Sequence, residues 1–124
     1  MTTNSVPMPT DINLHKKSRV LEVRFDDGQA FMLPCELLRV YSPSAETRGH
    51  GPGQEVLQTG KEQVNIDAIE PVGTYAVKLV FDDGHNTGLY TWNLLYNLGK
   101  HQAELWAEYL QKLQQAGYER RNAP

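Results

Sequence analysis

The sequence predicts a single α+β domain, in which an antiparallel sheet made of two similar units packs against helices. Residues 19–25 and 75–81 alternate apolar and polar side chains, the period-two pattern of half-buried strands. Both stretches lead into the same tetrapeptide, Phe-Asp-Asp-Gly, at residues 25–28 and 81–84. Asp-Gly is a strong signal for a tight hairpin, because glycine tolerates a positive φ. A returning strand and a short helix are expected after each hairpin.

This unit of strand, turn, strand and helix is used twice, with the two tetrapeptides 56 residues apart. Each copy ends in a helix with paired leucines, Leu37-Leu38 in the first and Leu94-Leu95 in the second. Convergence is the alternative explanation, since Asp-Gly hairpins are common. The shared phenylalanine and the near-constant spacing favour repetition. Repetition would bring the loop after Tyr41 and the turn around His85 close together in space.

The remaining elements follow from local signals. Pro34 suits the first turn of the first helix, where its missing N–H is harmless. Thr91 caps the second helix, which Gly99 ends. A further strand is predicted over residues 64–69. A C-terminal amphipathic helix over residues 101–116 is expected to pack on the sheet, because its leucines and aromatic residues share one stripe.

At 124 residues, the chain has the usual length of one domain with one core. Residues 1–17 are polar and contain two prolines, so we expect a flexible N-terminal arm. Residues 18–117 then form the domain, and residues 118–124 a flexible tail.

Composition restricts the partners and the location. The net charge of −3 argues against nucleic acid, whose binders present a basic face. Cys35 is the only cysteine, which excludes an intrachain disulfide and a four-cysteine metal site. The sequence has no signal peptide and no apolar run of about 20 residues, the length of a membrane span. We therefore expect a cytoplasmic protein without membrane contact.

Known catalytic motifs are missing from the sequence. It lacks the two-histidine, one-carboxylate motif of iron oxygenases, the Gly-x-Ser-x-Gly elbow, a phosphate-binding loop and the dinucleotide glycine fingerprint. We therefore expect no enzymatic activity from this chain alone.

Polar side chains collect in and before a long loop over residues 42–60, which holds four glycines and two prolines. Loops of this length in small domains are usually functional or disordered. One interpretation is a loop that binds a protein partner; the other is a solvated loop with helix-capping serines. The candidate binding residues are Arg39, Ser42, Ser44, Glu46, Arg48 and His50.

A metal site is a second possibility. His85 follows the second hairpin, and His50 and Cys35 would have to converge on it to hold zinc or iron, since a metal needs three or four ligands. The alternatives are that His85 is an exposed turn residue and that Cys35 packs as a small hydrophobe.

With these motifs in place, the chain resembles the family named for the N-terminal domain of γ-butyrobetaine hydroxylase, also called domain of unknown function 971. The resemblance covers roughly residues 19–117 in one order. It rests on the two Phe-Asp-Asp-Gly hairpins and on the segments 33–39, 42–46, 49–50, 69–73, 75–76, 88–92 and 94–99.

The resemblance implies a domain that precedes a catalytic domain holding Fe(II) and 2-oxoglutarate, whose iron motif this sequence lacks. It also implies a structural zinc, bound by three cysteines after the first helix and one histidine after the second hairpin. Only the histidine carries over, as His85; the segment 41–46 holds serines and proline where the cysteines are expected. Similar domains are also fused to P-loop ATPases with iron–sulphur clusters.

Three functional hypotheses result. The first is a non-catalytic accessory module that binds a protein partner, such as an iron–sulphur carrier, and is linked to iron or iron–sulphur metabolism. The second is a zinc- or iron-binding domain that uses His85. The third is an N-domain that works with a separately encoded Fe(II)/2-oxoglutarate hydroxylase.

Overall fold

Each of the two hairpins is part of a three-stranded antiparallel sheet. The computed structural model describes residues 7–44 and 57–120. The strand orders are β1-β2-β3 and β4-β5-β6. In chain order the described elements are β1 (Pro9–His15), β2 (Val20–Phe25), β3 (Ala30–Pro34), α1 (Cys35–Val40), β4 (Ile66–Val72), β5 (Ala76–Phe81), β6 (Leu89–Thr91), α2 (Trp92–Lys100) and α3 (Gln102–Gln115).

The α+β class is confirmed, and so is the packing of the C-terminal helices on sheet. The strands form two sheets where the sequence predicted one. Each repeat has its own sheet and its own helix. In the first repeat the additional strand β1, which was not predicted, pairs with β2; in the second, β4 corresponds to the strand predicted over residues 64–69 and pairs with β5.

The prediction of a flexible arm over residues 1–17 is wrong for β1, which pairs with β2 along its length. Ile12 and Leu14 pack against the core from this strand, while its other side chains are mostly polar and exposed. Two apolar residues among polar ones gave too weak an alternation to be recognised. The predicted tail is also wrong in part, since Tyr118 and Arg120 are hydrogen-bonded to Glu62 and Glu36.

The repetition extends to single hydrogen bonds in the turns. Asp26 accepts a hydrogen bond from the Met8 amide at its Oδ1, at 3.2 Å, and Asp82 accepts one from the Asn65 amide at 3.1 Å. Gly28 and Gly84 have φ of 89° and 91°, the left-handed conformation that requires glycine. The predicted hairpins are therefore confirmed, as two copies of one turn.

The strands opposite the hairpins repeat the same irregularity. β1 shifts register between Pro9 and Asp11, and β4 shifts between Ile66 and Ala68. In both sheets the shift lies beside the phenylalanine of the tetrapeptide. A β-bulge bends its strand and increases the local twist, so both sheets curve at the same place.

One apolar core lies between the sheets and the helices. It takes Leu21, Val23 and Leu33 from the first sheet, Leu79 and Phe81 from the second, and leucines from α1 and α2. A smaller cluster of Val40, Tyr109 and Leu113 joins α3 to the end of α1. No helix among residues 7–44 and 57–120 is long and apolar enough to span a membrane.

Candidate functional site

Each hairpin is hydrogen-bonded to the helix of the other repeat. Asp27 Oδ2, in the first hairpin, accepts a 2.6 Å hydrogen bond from the Tyr96 hydroxyl in α2. Asp83 Oδ2, in the second hairpin, accepts a 2.8 Å hydrogen bond from Arg39 Nε in α1. Arg39 and Tyr96 occupy equivalent positions, five residues after the N-cap residues Pro34 and Thr91. The two repeats are therefore joined by reciprocal contacts.

Beyond Arg39, the chain that leaves α1 meets the segment that follows the second hairpin. Ser42 Oγ lies 2.8 Å from His85 Nε2, and Ser44 Oγ lies 2.7 Å from Thr87 Oγ1. The Ser44 amide also donates to Ser42 Oγ, at 3.3 Å. The predicted proximity of the loop after Tyr41 and the turn around His85 is confirmed. We call the set of side chains that meet here the polar junction: Arg39, Ser42, Ser44, Asp83, His85 and Thr87.

The backbone of Gly88 lies directly against the polar junction. A Cβ atom at this position would lie 2.5 Å from Ser42 Oγ and 3.3 Å from Pro43 Cδ, although Gly88 has no unusual φ. Glycine is therefore needed for close approach and not for conformational freedom. Tyr90, two residues further on, donates a 2.5 Å hydrogen bond to the Leu38 carbonyl and so fastens β6 to α1.

The equivalent contact in the other half is apolar. Gly99 is equivalent to Ser42, because each lies eight residues after the N-cap residue of its helix. Phe31 is likewise equivalent to Gly88, because each lies three residues before that N-cap residue. The Phe31 ring packs on Gly99 so closely that a Cβ there would clash. Phe31 also makes edge contacts with Phe25 and Tyr96, with ring centroids 5.9 and 5.5 Å apart. Of two equivalent positions, one is closed by aromatic rings and the other by polar groups.

The polar junction carries an ion pair under partial burial. Asp83 accepts hydrogen bonds from Lys61 Nζ at 2.6 Å, from Arg39 Nε and from the His85 amide. Burial alone would raise the pKa of this carboxyl, but the hydrogen bonds from Lys61, His85 and Arg39 together lower it to about 2. Arg39 Nη1 is buried and has no hydrogen-bond partner among the described residues. Because of its low pKa, the Asp83 carboxylate is fully ionised at neutral pH.

The junction contains a serine and a histidine in hydrogen-bonding distance, the arrangement of an activated nucleophile. Ser42 is 0% exposed and His85 is 5% exposed. A substrate cannot reach a hydroxyl that is closed off in this way, so the pair holds two segments together and does not offer a nucleophile.

The structure brings together four of the residues that the sequence singled out: Arg39, Ser42, Ser44 and His85. All four side chains are buried, so their surfaces are largely closed to direct contact with a partner. The alternative of an exposed turn residue is wrong for His85. The predicted binding residues Glu46, Arg48 and His50 lie outside the described residues.

Cys35, the third predicted metal ligand, lies elsewhere. Its Sγ is 3.9 Å from Asn65 Oδ1, and it is fully buried at the start of α1. Burial raises the pKa of this thiol to about 11, which disfavours the thiolate that metals and electrophiles require. Within residues 7–44 and 57–120, no three histidine, cysteine or acidic side chains are grouped so that they could hold a metal ion.

The zinc implied by the resemblance therefore does not fit the described donors. Neutral hydroxyls are poor zinc ligands, and Ser42 and Ser44 stand where thiolates are expected. His85 Nε2 is already engaged with Ser42 Oγ. Sequence reasoning missed Asp83, Thr87 and Gly88. The repeat placed Asp83 in a hairpin turn but gave no sign of its hydrogen bond across the repeats.

Solved structures similar to this chain include two NMR structures and one crystal structure. One NMR solution structure is 59% identical over 97% of this chain and 90% of its own, with a TM-score of 0.80. A second NMR structure is 47% identical over 97% and 94%, with a TM-score of 0.81. A 1.93 Å crystal structure from Acidithiobacillus ferrooxidans ATCC 23270, described as a DUF971 family protein of unknown function, is 42% identical over 74% and 92%, with a TM-score of 0.63.

No protein with a curated description matches the chain. Residues 12–96 match the family described as gamma-butyrobetaine hydroxylase-like, N-terminal. This match covers both hairpins and every residue of the polar junction. The chain therefore belongs to the gamma-butyrobetaine hydroxylase-like N-terminal domain family.

Proposed function

We propose that this chain is a non-catalytic accessory module that binds a protein partner through residues 45–56. The observation that carries the proposal is the difference between the two repeats. One interface is closed by aromatic rings, whereas the equivalent interface is closed by a partly buried ion pair and by hydroxyl groups. Burying polar groups gives less stability than burying apolar ones unless every group is paired. We infer that the polar interface was selected for function and not only for the stability of the fold.

The polar junction supports this role by its position in the chain. Ser44, its last member in the first repeat, directly precedes residues 45–56. Leu57, the first described residue after them, packs on the cluster of Val40, Tyr109 and Leu113. Both ends of the segment are therefore fixed on α1 and its neighbours. Binding residues held by a rigid scaffold lose less entropy when a partner binds.

The segment itself has the chemistry of a recognition element. Glu46, Arg48 and His50 offer an acid, a base and an imidazole within five residues. The partner we propose is an iron–sulphur carrier or a related protein of iron metabolism. The family resemblance supports this class, because similar domains are fused to ATPases that carry iron–sulphur clusters. Iron or zinc in a captured complex would then come with the partner.

Capture experiments with matched variants test the proposal. The immobilised chain is exposed to native cytoplasm, and the retained proteins are identified by mass spectrometry with metal analysis of the same eluate. The triple variant Glu46→Ala/Arg48→Ala/His50→Ala should lose the identified partner and keep the melting temperature of the wild type. The control His101→Ala/Glu104→Ala/Lys112→Ala removes the same kinds of side chain from the exposed helical surface.

The control should retain the partner as the wild type does. Equal loss in both triple variants, or equal capture by all three proteins, would overturn the proposal. The identity of the partner separates the remaining hypotheses. A separately encoded Fe(II)/2-oxoglutarate hydroxylase would support a hydroxylase N-domain, and an iron–sulphur protein would support the accessory module.

A further inference from the structure

We infer that Ser42, Ser44, His85 and Thr87 form a metal-independent lock, which closes the junction between the two repeats by hydrogen bonds. The family resemblance implies a structural zinc at this place. In this chain neutral side chains stand at that place instead. Their hydrogen bonds cross-link the end of the first helix to the segment after the second hairpin. This inference does not rest on the proposed partner, and it holds or fails by itself.

The distance between Ser42 Oγ and His85 Nε2 is the first argument. Two ligands of one tetrahedral ion, each about 2.1 Å from the metal, lie about 3.4 Å apart. The observed separation is 2.8 Å, the length of a direct hydrogen bond. These two atoms therefore bond to each other, and an ion cannot be shared between them without separating the two segments.

The surroundings of Ser42 Oγ are the second argument. On one side the hydroxyl accepts a hydrogen bond from the Ser44 amide. On another side Gly88 approaches so closely that even a Cβ atom would lie 2.5 Å from Ser42 Oγ. The side chain is 0% exposed. Its neighbours thus occupy the space in which a metal and further ligands would have to lie.

The sequence separation of the bonded pairs is the third argument. Ser42 and His85, like Ser44 and Thr87, are 43 residues apart, so each bond closes a large loop of chain. Two parallel cross-links between the same two segments fix their relative position, as a bound metal would. Each such bond contributes modestly, and an unpaired buried partner left by mutation is the larger penalty.

Thermal unfolding with and without metal tests the lock. After chelator treatment and gel filtration, the wild type should contain no stoichiometric zinc and should unfold at the same temperature before and after zinc is added back. Ser42→Ala should lower the melting temperature by roughly 5 °C, because the buried hydrogen bond between Ser42 and His85 is lost. Ser18→Ala is the control, since this exposed hydroxyl makes only a 3.5 Å contact with a backbone carbonyl, and it should have no effect.

Two variants of His85 separate hydrogen bonding from metal ligation. Glutamine occupies the equivalent turn position in the first repeat, as Gln29, and its amide can bond to a hydroxyl but is not a zinc ligand. His85→Gln should therefore retain most of the stability that His85→Ala loses. The lock would be overturned by stoichiometric zinc whose removal lowers the melting temperature, by His85→Gln being as unstable as His85→Ala, or by an unchanged melting temperature in Ser42→Ala.

Discussion

Arg39, in the helix of the first repeat, donates from Nε to Asp83, in the hairpin of the second, at a distance of 2.8 Å. The equivalent hydrogen bond, with the two repeats exchanged, joins Tyr96 to Asp27 at 2.6 Å. In both turns the Oδ1 atom of the aspartate accepts a local amide, and the Oδ2 atom bonds across the repeats. A single turn residue thus shapes its own hairpin and docks the helix of the other half. This coupling makes the folding of either repeat depend on the other.

The charge of Asp83 should make stability pH-dependent in the acid range. The pKa of its carboxyl falls from an ordinary 3.8 to about 2 on folding. A group whose pKa is lowered on folding contributes stability above its unfolded pKa and loses that contribution as pH falls through its folded pKa. The free energy of unfolding should therefore drop between about pH 4 and pH 2, by on the order of 1 kcal/mol, because solvent screens part of the interaction at this partly exposed carboxylate.

Comparison with Asp83→Asn isolates this contribution. The difference in unfolding free energy between the wild type and the variant, measured with urea, should be constant above about pH 5 and shrink towards pH 2. Asp11→Asn, at an exposed position on β1, serves as the control and should follow the wild type at every pH. A wild-type to Asp83→Asn difference that stays constant down to pH 2 would contradict the assigned role of the carboxylate.

Local sequence signals were sufficient to predict the elements that occur in both repeats. The Phe-Asp-Asp-Gly turns, the returning strands and the helix starts at Cys35 and Trp92 all lie where turn and capping chemistry predicted them. β1 was missed because a strand can be held by backbone hydrogen bonds to its neighbour, with few apolar side chains of its own. Residues 118–120 were missed for a similar reason, since their partners Glu62 and Glu36 lie far away in sequence.

The candidate site could be predicted only in part. The repeat allowed Ser42 and His85 to be placed near each other, although 43 residues separate them. It could not show that these polar side chains are buried, because burial depends on what packs over them from distant parts of the chain. It also could not show the second role of Asp83. The turn requires an aspartate at this position whether or not its Oδ2 atom, which is not used within the turn, accepts a further hydrogen bond.

Gly88 provides a steric test of how tightly the polar junction is packed. In Gly88→Ala the new methyl group would lie 2.5 Å from Ser42 Oγ, a distance at which something must move. We expect a loss of about 1–3 kcal/mol in the free energy of unfolding, the range for overpacking a filled site. Urea denaturation measures this loss.

Removing the opposing hydroxyl should relieve part of the strain. In Gly88→Ala/Ser42→Gly the next nearest atoms to the new methyl group are Pro43 Cδ and Tyr90 Cε1, both at 3.3 Å, which need to shift only slightly. The double variant should therefore be more stable than the sum of the two single losses predicts, the signature of residues in direct contact. Additive losses would mean that Gly88 and Ser42 are not packed against each other.

Glu36 anchors the C-terminal part of the chain and offers the last prediction. Its buried carboxylate accepts a 2.7 Å hydrogen bond from the Tyr109 hydroxyl and a two-pronged contact from Arg120, at 3.0 and 2.5 Å. The Arg120 guanidinium also lies over the Trp106 ring, 5.1 Å from its centroid. The hydrogen bonds from Arg120 to Glu36 raise the pKa of the guanidinium further, so the guanidinium stays charged.

Arg120→Ala would leave Glu36 buried with Tyr109 as its only described partner. Because an uncompensated buried charge is costly, we expect the free energy of unfolding to fall by about 1–3 kcal/mol. Glu36→Gln/Arg120→Ala should be more stable than Arg120→Ala alone, since the neutral amide removes the unpaired charge. Arg24→Ala, which breaks an exposed ion pair with Glu22, is the control and should leave the free energy of unfolding almost unchanged. If Arg120→Ala and Arg24→Ala were equally mild, the contact between Arg120 and Glu36 would not hold the C-terminal segment in place.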